Sequence, residues 1–353
     1  MVQKVLYGML VLVPITIVLH LLDIGGHSLI FVLSALSLVP LSGVLGTATE
    51  QTAVYTGPKI GALLNATLGN LAELIIAFAA LREGLEGVVR ASIAGSIIGN
   101  ILIVLGASLL FGGLKNGIQT FDPREASTNA TMMTLAVISL VVPGLFYLTS
   151  ANGVTLDRPD AERLSDGVAI IMLVIYAAYL YFTLFDKRSV SPKTTHEESA
   201  TMSLRVAVGI LVAATIAVVL MSEILVGVLE PTAESWGLSE VFIGLIVVPL
   251  VGNVAEHLVA VKAAWNNDMD LSLGIALGSG LQVALFVSPV LVLVGEVINK
   301  PLPIVFNTWE LIALIAAVLL AVAISQDGES NWLEGAQLIA VYLILATAFF
   351  FAG

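Results

Sequence analysis

Two short segments of the chain carry the same chemistry. GNLAELIIA at 69–77 and GNVAEHLVA at 252–260 each set a glutamate three residues after an asparagine, inside long apolar sequence. On a helix that spacing puts both side chains on one face, so Asn70 shares a face with Glu73 and Asn253 with Glu256. A carboxylate near a bilayer centre costs about 2.5–3.5 kcal/mol on insertion scales. Two of them at matched positions therefore need a compensating ligand. Gly69 and Gly252 loosen the helix just before each asparagine and let backbone approach that ligand. Pro249 adds an interruption that frees a carbonyl in the preceding turn. Carboxylates, amides and freed carbonyls are hard oxygen donors. They suit Ca2+, which takes roughly 6–8 oxygens, of which two glutamates supply at most about four. The charges also balance: Glu73 and Glu256 are neutralised by one Ca2+ or by two protons. The empty, doubly ionised pair is penalised by desolvation and mutual repulsion. A site that is stable only when loaded is what obligatory exchange requires. The bland alternative is a buried pair that hydrogen-bonds across helices and only holds the bundle together.

Other polar groups stand close by in sequence. His257 points about 100° away from Glu256 round the helix, which suits a packing or supporting role, with a proton relay as the alternative. Two further apolar stretches carry Gly95, Ser96, Gly99 and Asn100 in one case, and Gly278, Ser279, Gly280 and Gln282 in the other. Close helix packing in lipid accounts for the glycines. It leaves Asn100 and Gln282 unexplained, and both are expected to hydrogen-bond the glutamate of the opposite repeat, with Ser96 and Ser279 beside them. Glu50 and Glu230 form a third matched pair, read either as one acid at each entrance or as solvated helix ends. Glu223 has no acid at its mate Gly43 and is a candidate for receiving protons or cations on the outer path. His27, Glu296 and Glu310 lie near span ends, where exposure explains them.

These residues need a membrane scaffold to position them. Of 353 residues 58% are apolar and only 11% charged, against roughly 25% charged in soluble chains. The net charge of −12 excludes a basic nucleic-acid binder, and the absence of cysteine excludes thiolate metal sites and thiol catalysis. Eleven apolar runs are long enough to cross a bilayer, at about 5–22, 29–53, 58–81, 90–112, 127–149, 165–187, 203–229, 238–264, 271–297, 304–325 and 331–352. The first run lacks a signal-peptidase site before Asp23 and reads as a retained helix. Residues 186–202 form one polar loop near the chain centre. Its Glu197 and Glu198 beside His196 make a poor cation site.

The halves on either side of that loop match. Ser42, Leu45, Glu50, Thr52 and Ala53 recur 180 residues later, and Gly69, Asn70, Glu73, Gly95 and Ser96 recur 183 residues later. Five spans per half is an odd number, so the second copy enters the membrane inverted, with the site at the midplane between the copies. The expected architecture is an all-α membrane protein of about eleven transmembrane helices. Residues 1–28 hold an extra helix, 29–187 the first five-helix repeat, 188–202 a cytoplasmic linker and 203–353 the second, inverted repeat. Nine Lys and Arg fall on the N-terminal side and five on the other, which puts the N-terminus in the cytoplasm and the C-terminus outside.

The two signature segments, GNxxE at Gly69 to Glu73 and GNxxEH at Gly252 to His257, resemble the paired repeats of the calcium/proton exchanger family, within the cation/calcium exchanger superfamily. SEILVGVLEPTAESWGLSEVFIGLI at 222–246 is similar to the acidic stretch that leads into that family's second signature. The resemblance runs over almost the whole chain. It implies Glu73 and Glu256 as shared Ca2+ and H+ ligands, and helices 2 and 7 sliding against the rest to alternate access. It also implies a cell-membrane antiporter that extrudes Ca2+ on a proton gradient, with no cofactor beyond the transported ion. The N-terminal regulatory segment of plant relatives is not expected, because helix 1 begins almost at Met1. The lipid bilayer, Ca2+ and H+ are the expected partners; homo-oligomerisation stays open. The alternative is a Na+-driven exchanger, for which only Thr67, Ser96 and Ser279 offer nearby hydroxyls. An intramembrane enzyme finds no DDxxD, HExxH or Ser/His motif in the chain.

Overall fold

Helix is the only form in which one apolar segment satisfies all its own backbone groups in lipid, and the chain is built accordingly. The computed structural model describes residues 2–150, 158–185 and 201–352. Most of the central loop, with His196, Glu197 and Glu198, lies outside the described residues. Among those described, nine helices are long and apolar enough to span a bilayer and two shorter apolar ones complete the set. In order they are α1 Leu6–Leu21, α2 Gly26–Thr56, α3 Lys59–Arg82, α4 Glu86–Asn116, α5 Pro123–Tyr147, α6 Asp160–Leu184, α7 Leu204–Gly227, α8 Glu240–Trp265, α9 Met269–Val297, α10 Thr308–Ile324 and α11 Trp332–Phe351. They coincide with the eleven runs read from sequence.

Successive helices run antiparallel, and cross-links at each end show which ends lie together. At one end the two-residue strands β1 Gln119–Thr120 and β2 Glu329–Ser330 pair, tying the α4–α5 connection to the α10–α11 connection. There too Lys115 Nζ donates to the Trp265 carbonyl at 2.8 Å, and the Thr201 amide donates to Gln51 Oε1 at 2.8 Å. At the opposite end Ser28 and Ser235 meet at 3.1 Å, and the Ile304 amide donates to Ser165 Oγ at 2.8 Å. The α2–α3 turn is Gly57-Pro58: glycine takes a φ of +81° there, and proline starts the next helix without needing its missing N–H.

Helices α4 and α9 form the buried centre; α6, α7 and α11 are peripheral, with apolar side chains such as Ile171, Val174, Val212 and Ile216 on the outer surface. An apolar exterior of this kind matches lipid, not water. Helices α2 and α7 pack along one another, and α1 lies against α2.

Helices α3, α4, α8 and α9 depart from regular geometry, and of this the sequence indicated only the loosening at Gly69 and the interruption at Pro249. Helix α3 is broken at Gly69-Asn70, between Pro58–Leu68 and Leu71–Arg82. Helices α4 and α9 each hold a π-helical turn, Asn100–Val104 and Val283–Val287, at the same 183-residue offset. Helix α8 has its own at Ile243–Val247, just before Pro249. The acid stretch also differs from expectation. Span 7 ends at Gly227, and Glu230 lies on a separate short helix, Leu229–Trp236. Glu310 is buried, not exposed. It closes a capping box in which Asn307 and Glu310 each accept the other's backbone N–H, at 2.9 and 2.8 Å.

Candidate functional site

The break in α3 and the kinked start of α8 bring Glu73 and Glu256 together at the floor of a cavity of about 770 Å³. Glu73 is 8% exposed, and the two carboxylates are close enough to repel one another. Gly252 of α8 lies against the Glu73 side chain: a Cβ there would meet Glu73 Cγ and Oε1 at 3.6 Å, an ordinary contact. Gly43 of α2 packs near Ala255, beside Glu256. Three buried oxygens lack a hydrogen-bond donor: Glu73 Oε2 and Glu256 Oε2 on this cavity, and Asn253 Oδ1, whose residue borders a second, smaller cavity. Buried acceptors without donors are costly, and a hard cation or a proton on each carboxylate relieves that cost. Among the described residues no group of three Asp, Glu or His side chains is placed to hold a metal ion.

The amides make a different network from the one expected. Asn100 Nδ2 donates to Ser279 Oγ at 3.2 Å, Ser279 Oγ donates to Asn70 Oδ1 at 3.4 Å, and Asn70 Nδ2 donates to Gln282 Oε1. Asn100 and Gln282 thus reach the asparagine and serine of the other repeat, not its glutamate. The reason is geometric. An amide donor satisfies Gln282 and Asn70 mutually, whereas a glutamate partner would hold the carboxylate away from the cavity. Ser279 also faces Glu256. On α8, Asn253 Nδ2 folds back onto the Pro249 carbonyl at 3.2 Å. His257 turns away from the cavity as its position on the helix requires, and with Ser96, Asn100, Asn253 and Tyr342 it borders a second cavity of about 10 Å³, enough for one water.

The large cavity opens at the end of the bundle that carries Glu50. Glu50 lines it together with Glu256. Four acids that sequence reasoning missed join it: Asp122 and Glu125 at the start of α5, and Asp268 and Asp270 at the start of α9. Among the described residues no lysine or arginine lines this cavity. The signal was present, because the α4–α5 and α8–α9 connections fall on the Glu50 side in any alternating topology. Glu230 does not share the cavity; its short helix sits at the opposite end, where Ser235 meets Ser28. Glu223 does not line this cavity. It is half-exposed and ion-paired with Arg82 at 2.9 Å, one turn from the end of α7.

The opposite side of the glutamate pair is shut by helix backbone. Pro249 has no N–H to offer the Leu245 carbonyl four residues back, and that carbonyl points at Gly95 of α4. A Cβ at Gly95 would lie 2.0 Å from it. The mate of Gly95, Gly278, has nothing within 4 Å and lines the open cavity with Ala62, the mate of Leu245. Two sequence-matched contacts are therefore in opposite states, one closed and one open.

Comparison with known proteins bears on what such a site does. The chain matches the family described as "Sodium/calcium exchanger protein" over residues 27–185 and 206–351. It is 42% identical to a Ca2+/H+ antiporter of Aphanothece halophytica over 365 residues, covering 99% of this chain and 97% of that one. It is 43% identical to the Ca2+/H+ antiporter ChaA of Bacillus subtilis (strain 168) over 344 residues, 96% of each chain. The solved structure of native YfkE superposes with a TM-score of 0.85 at 40% identity, covering 98% of this chain and 99% of that one.

Proposed function

The chain belongs to the sodium/calcium exchanger protein family, and from that premise we propose that Glu73 and Glu256 are the ligands through which it exchanges Ca2+ for protons. The protein is a multi-pass membrane Ca2+/H+ antiporter. The observation that carries the site assignment is the convergence of two repeat-related glutamates, each with an undonated buried oxygen, at the floor of an acid-lined cavity. Ca2+ entering past Glu50 displaces protons from the pair, and the neutral oxygens of Asn253, of Asn70 and of water complete its shell. The pair carries no net charge with Ca2+ or with two protons, and in either state it can cross between conformations. An empty pair cannot.

Alternating access follows from the matched glycine contacts. In this conformation α8 closes on α4 at Gly95 while α3 stands off α9 at Gly278. Exchanging the two arrangements would close the Glu50 end and open the other, the expected behaviour of inverted repeats. We assign residues 29–187 and 203–353 as those repeats, 188–202 as their linker and 1–28 as a helix outside the symmetry. The Lys and Arg distribution makes the Glu50 end cytoplasmic, so the cavity faces the cytoplasm of a cell membrane and Ca2+ leaves the cell. No protein cofactor enters this reading. A Na+-driven exchange is the weaker alternative, because the relatives that match nearly the whole chain are Ca2+/H+ antiporters.

Ca2+ flux into proteoliposomes tests the reading, first under a pH gradient and then under a Na+ gradient at clamped pH. Uptake on the pH gradient alone is expected, and its loss in Glu73→Gln and Glu256→Gln. Uptake driven by Na+ alone would overturn proton coupling. Substantial transport by either variant would move the site elsewhere.

A further inference from the structure

Matched residues of the two repeats use their helix carbonyls differently. In the second repeat the Asn253 side-chain amide donates to the Pro249 carbonyl, one turn back on its own helix. The corresponding pair in the first repeat is Asn70 and Ala66, 183 residues earlier. There the Ala66 carbonyl is taken by a different donor. Tyr176 of α6 reaches across and donates its hydroxyl to Ala66 O at 3.0 Å. The Asn70 amide, displaced from that carbonyl, turns to Gln282 of α9.

Tyr176 is well placed to hold such a choice. It is 4% exposed, and its ring stacks on Phe286 at 5.7 Å between centroids and 29° between planes. Phe286 lies in the π-helical turn of α9 that directly follows Gln282. One side chain therefore touches the turn before the α3 break and the turn after the residue that Asn70 seeks. In this structure the Tyr176 hydroxyl takes the Ala66 carbonyl and the Asn70 amide takes Gln282. A carbonyl in the last turn before a helix break needs a donor. Without Tyr176 the nearest candidate is the Asn70 amide, as the Asn253 precedent shows.

We propose that Tyr176 is a positioning residue for Ca2+ binding: by occupying the Ala66 carbonyl it releases Asn70 to Gln282, and so sets the face that Asn70 and Glu73 present to the ion. This rests on the reading of Glu73 and Glu256 as the ion ligands. Tyr176 itself touches neither the ion nor the protons.

The test is Ca2+ uptake in proteoliposomes by Tyr176→Phe, which keeps the ring and its stack on Phe286 and removes only the hydroxyl. Loss of one buried hydrogen bond at the site should raise the KM for Ca2+ by about twofold to tenfold, with the maximum rate and the melting temperature nearly unchanged. An unchanged KM, or a fall in rate at constant KM, overturns the proposal. In an Asn70→Ala background Tyr176→Phe should add nothing further to KM. A second rise of equal size would mean that the hydroxyl acts by packing alone, which also overturns it. Should Tyr176→Phe fail to fold, Gln282→Ala must reproduce the KM rise by removing the acceptor that Asn70 reaches, and a wild-type KM there is the refuting result. Wild-type exchange together with an inactive Glu73→Gln upholds the glutamate site independently, so the two readings fail separately.

Discussion

Gly95 and Gly278 give the sharpest test of how the two sides of the protein open and close. At Gly95 an added Cβ would sit 2.0 Å from the Leu245 carbonyl oxygen, 2.7 Å from its carbon and 2.8 Å from Pro249 Cγ. Two of these are backbone atoms and the third is a proline ring, so none can swing aside. Gly95→Ala therefore forces α4 and α8 apart in this conformation. Overpacking of a tight contact costs typically about 1–3 kcal/mol. If the opposite conformation relieves that contact, the population shifts toward it by about 5- to 150-fold. Gly278→Ala meets nothing here and leaves this conformation intact. It carries the same penalty in the opposite state, where α3 would close on α9, and so holds the cavity open. The chain has no cysteine, so a single Thr47→Cys on the cavity wall reports access without background labelling. Its alkylation by a membrane-impermeant maleimide from the Glu50 side should slow several-fold or more in Gly95→Ala. It should stay fast in Gly278→Ala, and both variants should exchange Ca2+ more slowly than the parent. Unfolding would give the opposite sign, because the single introduced thiol would become more accessible. A folded Gly95→Ala that keeps the parent's alkylation rate and exchange rate refutes the reasoning.

Three further outcomes follow from the same geometry. Protons and Ca2+ compete for Glu73 and Glu256, so the KM for Ca2+ should rise as the pH on the cavity side falls, at little cost in maximum rate; a pH-independent KM would separate the two substrates. Glu223→Gln should leave exchange near wild type, because a half-exposed ion pair with Arg82 is worth at most about 1 kcal/mol; a dead variant would return Glu223 to the ion path. Glu310→Ala removes half of a buried capping box and should cost roughly 0.5–2 kcal/mol. A scan should find a lower Tm with unchanged Ca2+ KM, and a change in KM with no loss of stability would contradict the capping role.

Much of the molecule was legible in the chain as text. Eleven spans follow from apolar runs, because a backbone in lipid has few options. Glu73 and Glu256 stand out because a carboxylate in such a run is expensive wherever the helices finally pack. The 183-residue offset announced the repeat, but the expected sharing of faces did not carry over directly: Asn70 sits in the break of α3 and Asn253 borders the smaller cavity. The spans and the two glutamates are local properties, readable one segment at a time. Glu310 escaped because burial at a helix start depends on what lies over it, and the acids at 122, 125, 268 and 270 escaped because loops were read separately.

Tertiary structure decided everything that depends on which helix meets which. Asn100 and Gln282 are polar groups in need of partners by sequence; only packing made those partners Ser279 and Asn70. The break in α3, the π-helical turns and the hydroxyl of Tyr176 on Ala66 appear only once α6 and α9 stand beside α3. Above all, the chain alone does not say which side is open. Two nearly equivalent repeats allow two nearly equivalent arrangements, one with Gly95 closed and one with Gly278 closed. The difference between them is made of contacts between helices far apart in sequence, not of any residue's own preference.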